Sequence, residues 1–321
     1  MQEYLYLVAG LILLIQGADW LLEGAASLAK KFNIHKLIVG LTIVALGTSL
    51  PELFVTIAGS ISGNSDIILG NLVGSSIANI LLILGIGAMI YPLIFRHTTI
   101  WKEIPFSFFT LTVLLIIINK PLLGMSNKLS FFDGIILIAL FGVFIYYTSD
   151  IIVKKRLEST ETKEEIKLAD PKFHKMYMLI GALIIGTIAL YIGGRMTVDT
   201  AVIIAKNIGI TQFFISATII AAGTSLPELF VSVKAALKKE TDLIVGNIIG
   251  SNIINMLFIL GIGSLLHTIT INESLAFSVI VAMLATALLF IALFIGEKHI
   301  LKRWQGILLV ICYMAYIYYL I

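Results

Sequence analysis

The sequence predicts an all-α polytopic membrane protein. We expect ten transmembrane helices in two inverted five-helix repeats, with discontinuous helices at a site near the membrane midplane. Three observations support this fold class. Hydrophobic residues make up 59% of the 321 residues and charged residues only 13%, a balance that a soluble domain cannot bury. The apolar residues fall into ten blocks, and the stretch GTSLPELFV occurs twice.

Most of the ten blocks approach the length of about 20 residues that a helix needs to cross a bilayer. They are residues 4–22, 37–60, 67–91, 104–118, 131–148, 176–194, 213–236, 242–266, 275–295 and 305–320. Runs such as ILLILGIGAMI do not alternate between polar and apolar residues, so they predict helices and not barrel strands. The first block follows MQE, without a basic segment before it or a cleavage site after it, and is expected to be a retained helix.

Lys and Arg are distributed unevenly over the connections between blocks. The five odd-numbered connections carry 18 of the 22 basic residues, and the even-numbered connections and termini carry 4. By the positive-inside rule, the odd-numbered connections are cytoplasmic. The sequence therefore predicts a multi-pass protein of the cell membrane with both termini extracellular.

The longest connection, residues 150–175, divides the chain into the predicted repeats 1–149 and 176–321. It is the only extended polar segment, and it mixes charges of both signs without a binding pattern. We interpret it as a solvated cytoplasmic linker in preference to a regulatory segment.

The two halves are copies of each other. Adding 176 to a residue number maps the first half on the second, and segments 38–90 and 214–266 are identical at 26 of 53 positions. The identical residues include Gly, Thr, Ser, Pro, Glu, Asp and Asn, which indicates a duplication that kept its polar chemistry. Five is an odd number of helices, so the second copy enters the membrane from the opposite face. Inverted repeats with interrupted helices are typical of secondary transporters.

Each GTSLPELFV stretch places a carboxylate next to a helix breaker. Pro51 and Pro227 have no N–H, so each removes a backbone hydrogen bond within its block. Irregular backbone at membrane depth lines a cavity or is buried in protein. Glu52 and Glu228 follow these prolines, and a carboxylate in the hydrocarbon layer is costly unless it is paired or coordinated. A bound cation is the expected counter-charge.

Further polar residues repeat on matching helix faces. Thr48 lies four residues before Glu52, and Thr224 lies four before Glu228. The next helix of each half carries a stripe at i, i+4 and i+8. The two stripes are Asn71, Ser75, Asn79 and Asn247, Ser251, Asn255. Interhelical packing explains one such residue alone, but two symmetric sets around two glutamates favour a binding site.

The candidate ligands are all oxygens, which suit hard cations such as Ca²⁺ and Na⁺. The five histidines fall at block ends or in connections, and the single cysteine, Cys312, lies in the last block. Soft and borderline metals such as zinc or copper are therefore not expected. Two carboxylates balance one Ca²⁺ or two Na⁺, and the neutral oxygens leave room for a third Na⁺.

GTSLPE, followed about 18 residues later by GN-x-x-GS-x-x-x-N, occurs in both halves and resembles the paired repeats of the Na⁺/Ca²⁺ exchanger family. The resemblance covers both repeats and, through the helix count, nearly the whole chain. It implies a prokaryotic-type antiporter that admits Na⁺ to expel Ca²⁺, with alternating access as the first and sixth helices slide over the core bundle. The transported ions would be Ca²⁺ and about three Na⁺, with no cofactor.

The resemblance also implies the ligands. The implied Ca²⁺ ligands are Glu52, Glu228, Thr48 and Thr224. The implied sodium sites or shared centre comprise Ala45, Ala221, Ser49, Ser225, Ser75, Ser251, Asn79 and Asn255. Many relatives carry an aspartate where this chain has Asn255, and that acid is associated with potassium transport. The amide therefore favours a potassium-independent, electrogenic exchanger.

Three alternatives stay open from the sequence. An H⁺/Ca²⁺ antiporter could use the same glutamates as proton carriers, a K⁺-dependent exchanger differs in its third ion, and a cation channel would lack coupling. An enzyme is not expected, because no nucleophile and base occur together at membrane depth. The expected partners are Na⁺, Ca²⁺ and membrane lipid, without nucleic acid or an obligate protein.

Four charged residues near the ends of the first and sixth blocks are expected to be interfacial anchors or structural pairs and not ligands. They are Asp19, Glu23, Arg195 and Asp199. Asp66 and Asp242 start the third and eighth blocks, where a carboxylate is favoured by the helix dipole.

Overall fold

A computed structural model describes residues 2–118, 128–157, 175–207, 223–271 and 274–320. Among these residues, six helices are long and apolar enough to cross a membrane, and a bent pair makes a seventh if it forms one span. This is a helical membrane protein. The helices and strands are α1 (Gln2–Phe32), α2 (Lys36–Thr48), α3 (Leu50–Ile61), α4 (Ser65–Ile90), β1 (Leu93–Ile94), α5 (Ile104–Ile118), β2 (Lys128–Leu129), α6 (Phe131–Leu157), α7 (Met176–Asn207), α8 (Leu226–Leu237), α9 (Thr241–Leu266), β3 (Ile269–Thr270), α10 (Ser274–Ala292), β4 (Ile300–Leu301) and α11 (Arg303–Leu320).

Several helices extend beyond the predicted blocks. Helix α1 continues to Phe32 and α7 to Asn207, whereas the blocks end at residues 22 and 194. Helix α6 continues to Leu157, so the first part of the predicted linker 150–175 is helical, and residues 158–174 lie outside the described residues. These boundaries were wrong because hydropathy marks only the stretch inside the hydrocarbon layer, and a helix continues into the polar layer without an apolar signal.

Helices α1 and α7 pack backbone to backbone. A Cβ atom added to Gly17 would lie 2.9 Å from the carbonyl oxygen of Gly186, and one added to Gly193 would lie 2.8 Å from the carbonyl oxygen of Gly10. Small residues allow this close approach in membranes, where packing replaces the hydrophobic effect between helices. The glycines of both helices therefore form one long contact.

Helices α4 and α9 form the centre of the molecule, and α9 is the most buried of the described spans. A Cβ atom added to Gly40 of α2 would lie 3.1 Å from the Cα atom of Gly246 in α9. Asp66 and Asp242 lie in the first turns of α4 and α9, as predicted. The two central helices carry the predicted polar stripes, so the fold brings both stripes into the core.

Short strands join the two halves reciprocally. Strand β1 of the first half pairs with β4 of the second, and β2 of the first half pairs with β3 of the second, each antiparallel. The pairs join connections that the charge pattern places on the same side of the membrane.

Ion pairs join other connections in the same way. Lys36 Nζ lies 2.7 Å from Glu240 Oε1, and Arg96 Nε lies 3.0 Å from Asp242 Oδ1. All four residues belong to, or border, connections with a predicted cytoplasmic location.

Candidate functional site

The predicted helix break is present in the first half. Helix α2 ends at Thr48, α3 begins at Leu50, and the two are bent by 46°. Ser49 links them with φ −85° and ψ 8°, outside the helical region. Pro51 lies in the first turn of α3, where its missing N–H removes no helical hydrogen bond.

The second half repeats this geometry. Ser225 has φ −85° and ψ 6° and precedes α8, which carries Pro227 in its first turn. Residues 208–222 lie outside the described residues, and the implied ligand Ala221 is one of them. The local sequence thus produces the same turn at both sites.

The two breaks place a carboxylate in the first turn of a helix. Glu52 of α3 and Glu228 of α8 both have no exposed surface. Within the described part of the chain, no ion pair joins either carboxylate to Lys or Arg. The helix N-terminus contributes a partial positive charge, which offsets only part of the cost of burial.

Serine hydroxyls of the first half bind both carboxylates. Ser75 Oγ donates to Glu52 Oε1 at 3.2 Å, and Ser49 Oγ donates to Glu228 Oε1 at 3.2 Å. Ser225 Oγ donates to Ser75 Oγ at 3.1 Å. The Oε2 atoms of both glutamates are buried and have no hydrogen-bond partner among the described residues. Each carboxylate therefore keeps one oxygen available for a cation.

The threonine hydroxyls form hydrogen bonds between the two halves. Thr48 Oγ1 donates to Asn247 Oδ1 at 3.0 Å, and Thr224 Oγ1 donates to Asn71 Oδ1 at 2.9 Å. The two bonds are equivalent under the offset of 176 residues. The i, i+4 spacing suggested that each threonine faces the glutamate of its own repeat. Instead, Thr48 of α2 binds α9 of the second half, and Thr224 binds α4 of the first half.

The last residues of the stripes lie at π-helical turns. Asn79 belongs to the turn Ala78–Ile83 of α4, and Asn255 belongs to the turn Ile254–Ile259 of α9. Such turns are rare and occur frequently at functional sites. Asn79 Oδ1 and both polar side-chain atoms of Asn255 are buried without a hydrogen-bond partner in the part of the chain that the structure describes.

We use the name oxygen cage for the two carboxylates, the hydroxyls around them and the buried amides at the ends of the two stripes. They are Glu52, Glu228, Thr48, Thr224, Ser49, Ser225, Ser75, Ser251, Asn79 and Asn255. The carbonyl oxygen of Ala45 lies at its edge, 3.3 Å from Thr48 Oγ1 and 3.5 Å from Ser251 Oγ. The described residues contain no group of three His, Cys, Asp or Glu side chains that could hold a metal ion. The cage thus combines two carboxylates with neutral oxygens, which is a donor set for hard cations.

A cavity of about 370 Å³ lies between α3, α7 and the turn before α8. Its lining includes Pro51, Phe54, Val55, Ala58, Tyr191, Gly194, Arg195, Val198, Asp199, Gly223, Thr224 and Pro227. Thr224 belongs to the oxygen cage, so the cavity extends to the cage. Arg195 and Asp199 are exposed, and they pair with each other at 3.6 Å.

The sequence matches the family model described as sodium/calcium exchanger protein over residues 3–149 and 178–321. These two segments cover both halves of the chain. The chain belongs to the sodium/calcium exchanger family.

Two prokaryotic relatives match almost the whole chain. A putative antiporter, CaxA, of Alkalimonas amylolytica is 35% identical over 319 residues, covering 98% of each chain. The sodium/calcium exchanger MaX1 of Methanosarcina acetivorans is 29% identical over 359 residues, covering 98% of this chain and 97% of that protein.

A solved structure of the sodium-calcium exchanger NCX_Mj has the same fold. It superposes with a TM-score of 0.80 at 31% identity, covering 99% of this chain and 98% of that one. The family, its prokaryotic character and an antiporter fold, predicted from the repeated motif, are thereby confirmed.

Three residues near the cage were not among the predicted ligands. Asn71 and Asn247 were placed on the stripes, and the structure shows that their side-chain oxygens accept the threonine hydroxyls. Asn252 was missed altogether, and it bonds to Asn79. The equivalent position in the first half is Ser76, so a search for identical residues in the two halves could not find Asn252.

Proposed function

We propose that this member of the sodium/calcium exchanger family exchanges about three Na⁺ for one Ca²⁺ by alternating access, without a need for K⁺. The observation that carries the proposal is the pair of fully buried carboxylates, Glu52 and Glu228, each with one oxygen that no protein group binds. Buried charges in proteins are paired or coordinate metals. A cation from solution is the partner that this arrangement needs.

The charge of the cage supports the coupling ratio. Glu52 and Glu228 supply −2, and the remaining cage residues are neutral. One Ca²⁺ neutralises the cage, whereas three Na⁺ leave it at +1. Hydroxyl and amide oxygens provide further positions for monovalent ions, which supports three sodium sites. Exchange in this ratio moves one net positive charge per cycle in the sodium direction.

The ten-helix architecture in two inverted repeats is part of the proposal. It is supported by the offset of 176 residues, under which Thr48 and Asn247 map on Thr224 and Asn71 with the same hydrogen bond. The reciprocal strand pairs join the halves in the same symmetric way. A site at the interface of inverted repeats is the arrangement that alternating access requires.

Alternating access has two supports in the described residues. The first is the close backbone contact of α1 with α7, which holds the two helices together so that they can move as a pair. The second is the cavity beside α7, which gives ions a path to Thr224 from one side. We propose that movement of α1 and α7 closes this path and opens one on the other side.

Independence of K⁺ is proposed from Asn255. Its amide contributes no charge to the cage, so the negative charge is limited to the two glutamates. One Ca²⁺ already neutralises these two carboxylates, so a K⁺ bound beside it would lack a counter-charge in the calcium-loaded cage.

For the membrane orientation, we propose that the central connection 150–175 is cytoplasmic and that both termini are extracellular in the cell membrane. The bias of 18 basic residues against 4 supports it.

Purified protein in proteoliposomes tests the function. Vesicles loaded with Na⁺ and diluted into Na⁺-free medium with Ca²⁺ should take up Ca²⁺, and vesicles with equal Na⁺ on both sides should not. Uptake driven by a pH gradient without Na⁺ would instead identify an H⁺/Ca²⁺ antiporter. A strict need for K⁺ would identify a K⁺-dependent exchanger, and Ca²⁺ flux without counter-ion coupling would identify a channel.

A further inference from the structure

The two symmetry-related amides of the oxygen cage are held differently. Asn79 Nδ2 donates to Asn252 Oδ1 at 2.9 Å, and its Oδ1 atom is buried without a partner among the described residues. Within the same residues, Asn255 of the other half has no hydrogen-bond partner for either polar side-chain atom. Both asparagines are at most 1% exposed, so solvent does not explain the difference.

Asn252 is itself fixed in the core. It is 2% exposed, and its Nδ2 atom donates to the backbone carbonyl oxygen of Ser76 at 3.4 Å. The side chain therefore uses its amide nitrogen on α4 backbone, and its amide oxygen is left to accept from Asn79. Asn79 therefore directs its amide nitrogen towards Asn252. Its amide oxygen is directed away from Asn252.

The equivalent residue in the first half does not hold an asparagine amide. Ser76 occupies the place of Asn252 under the repeat offset, and its hydroxyl donates to the carbonyl oxygen of Leu72 at 3.0 Å. Its hydroxyl is thereby used within α4 and does not bind Asn255. The chemical difference between Ser76 and Asn252 accounts for the different settings of the two amides.

We infer that Asn252 is a positioning residue that orients the Asn79 amide so that its carbonyl oxygen is the atom presented to the transported cation. No hydrogen bond among the described residues fixes the Asn255 amide, so one half of the oxygen cage is preorganised and the other adapts to the ion. This inference rests on the proposed function, because it assigns Asn79 as a cation ligand. A donor N–H in place of the carbonyl oxygen would repel a cation.

The test is Asn252→Ser, which gives the second half the residue of the first. Asn79 then loses its acceptor and can present its NH₂ group to the ion. We expect about a tenfold loss of affinity, since an unsatisfied buried donor has an effect of this order. The loss should appear in the Kd for Ca²⁺ in detergent and in the KM for Ca²⁺ in proteoliposomes. The maximal rate should change by less than about twofold, because the helices that move are untouched.

Ser76→Ala is the matched control and should leave Kd and KM unchanged, because it retains the backbone carbonyl that binds Asn252. The decisive variant adds Asn252→Ser to Asn79→Ala. If Asn252 acts through Asn79, the double variant should bind Ca²⁺ as Asn79→Ala alone does. Additive losses, or a wild-type Kd in Asn252→Ser, would overturn the inference.

Failure of the proposed function would look different. Wild-type protein that shows no Na⁺-driven Ca²⁺ uptake contradicts the exchange reaction, and the Ca²⁺ Kd series still decides the role of Asn252. If Asn252→Ser does not stay monodisperse, Asn252→Thr removes the same acceptor while filling more of the space. The same comparison with Asn79→Ala then applies.

Discussion

Under the proposed stoichiometry, a membrane potential should change the rate and the extent of Ca²⁺ uptake. The side chains of the oxygen cage supply −2, so the proposed loaded states are at +1 with three Na⁺ and neutral with one Ca²⁺, and the full cycle moves one net charge. One charge that crosses 100 mV corresponds to about 2.3 kcal/mol. That energy changes the equilibrium Ca²⁺ gradient by about 50-fold at a fixed Na⁺ gradient.

The assay uses Na⁺-loaded vesicles in Ca²⁺ medium, with the potential clamped by a K⁺ ionophore and K⁺ on both sides. Three Na⁺ leave for each Ca²⁺ that enters, so each cycle carries one positive charge out. An inside-positive clamp should therefore accelerate uptake and raise its plateau, and an inside-negative clamp should lower both. Equal plateaus at both potentials would refute the three-to-one ratio and indicate electroneutral exchange. A K⁺-free arm, with the potential held by a proton ionophore instead, should show undiminished uptake, as Asn255 predicts.

Three further predictions follow from single residues. Glu52→Gln or Glu228→Gln should abolish Ca²⁺ transport in folded protein, because each removes half of the charge that balances a divalent ion; wild-type-like uptake at matched protein amounts would contradict the site. A cysteine at Ser159, in a variant without the native cysteine, should resist an impermeant thiol reagent in intact cells. Rapid labelling would show that the central connection is extracellular and that the topology is the reverse of the proposed one. Lys238→Met should raise the KM for Ca²⁺ applied from the cavity side about twofold to fivefold, because it weakens the partly exposed ion pairs of Lys238 with Asp19 and Glu23. Lys302→Met, which loses a pair with Glu297 within its own connection, should have no effect.

The chain shows clearly which features a sequence can predict. The break at Pro51 and the carboxylate beside it followed from a proline, a glycine and an acid in an apolar run, and the structure bends the helix there by 46°. The stripes followed from repetition, because Asn71 and Asn247 hold equivalent places in the two halves. Local chemistry and periodicity can therefore be identified from the sequence alone.

Contacts between the halves were not predictable in this way. Ser49 binds the glutamate of the other half, and Thr48 binds Asn247 on α9, more than 170 residues away in each case. Such pairs depend on how the halves interlock, which hydropathy does not report. Asn252 was missed for a related reason. Its role depends on a difference between the two halves, whereas the comparison of the halves selected identical residues.

The differences between the copies also explain how a symmetric cage can have two unlike sides. Asp19 of α1 binds Lys234 of α8 at 2.7 Å, which ties the helices together at one end. Under the repeat offset, the corresponding residues are Arg195 on α7 and Ala58 on α3, and both line the cavity instead. Alanine offers no charge to bind, so Arg195 pairs within its own helix with Asp199. Ions need the same ligands from either side, and the repeated residues provide them. Access must be closed on one side when it is open on the other, and unlike residues at equivalent positions give the two closures different strengths. In a duplicated transporter, we therefore expect identical residues at equivalent positions of the cage. We expect different residues at equivalent positions along the paths that lead to it.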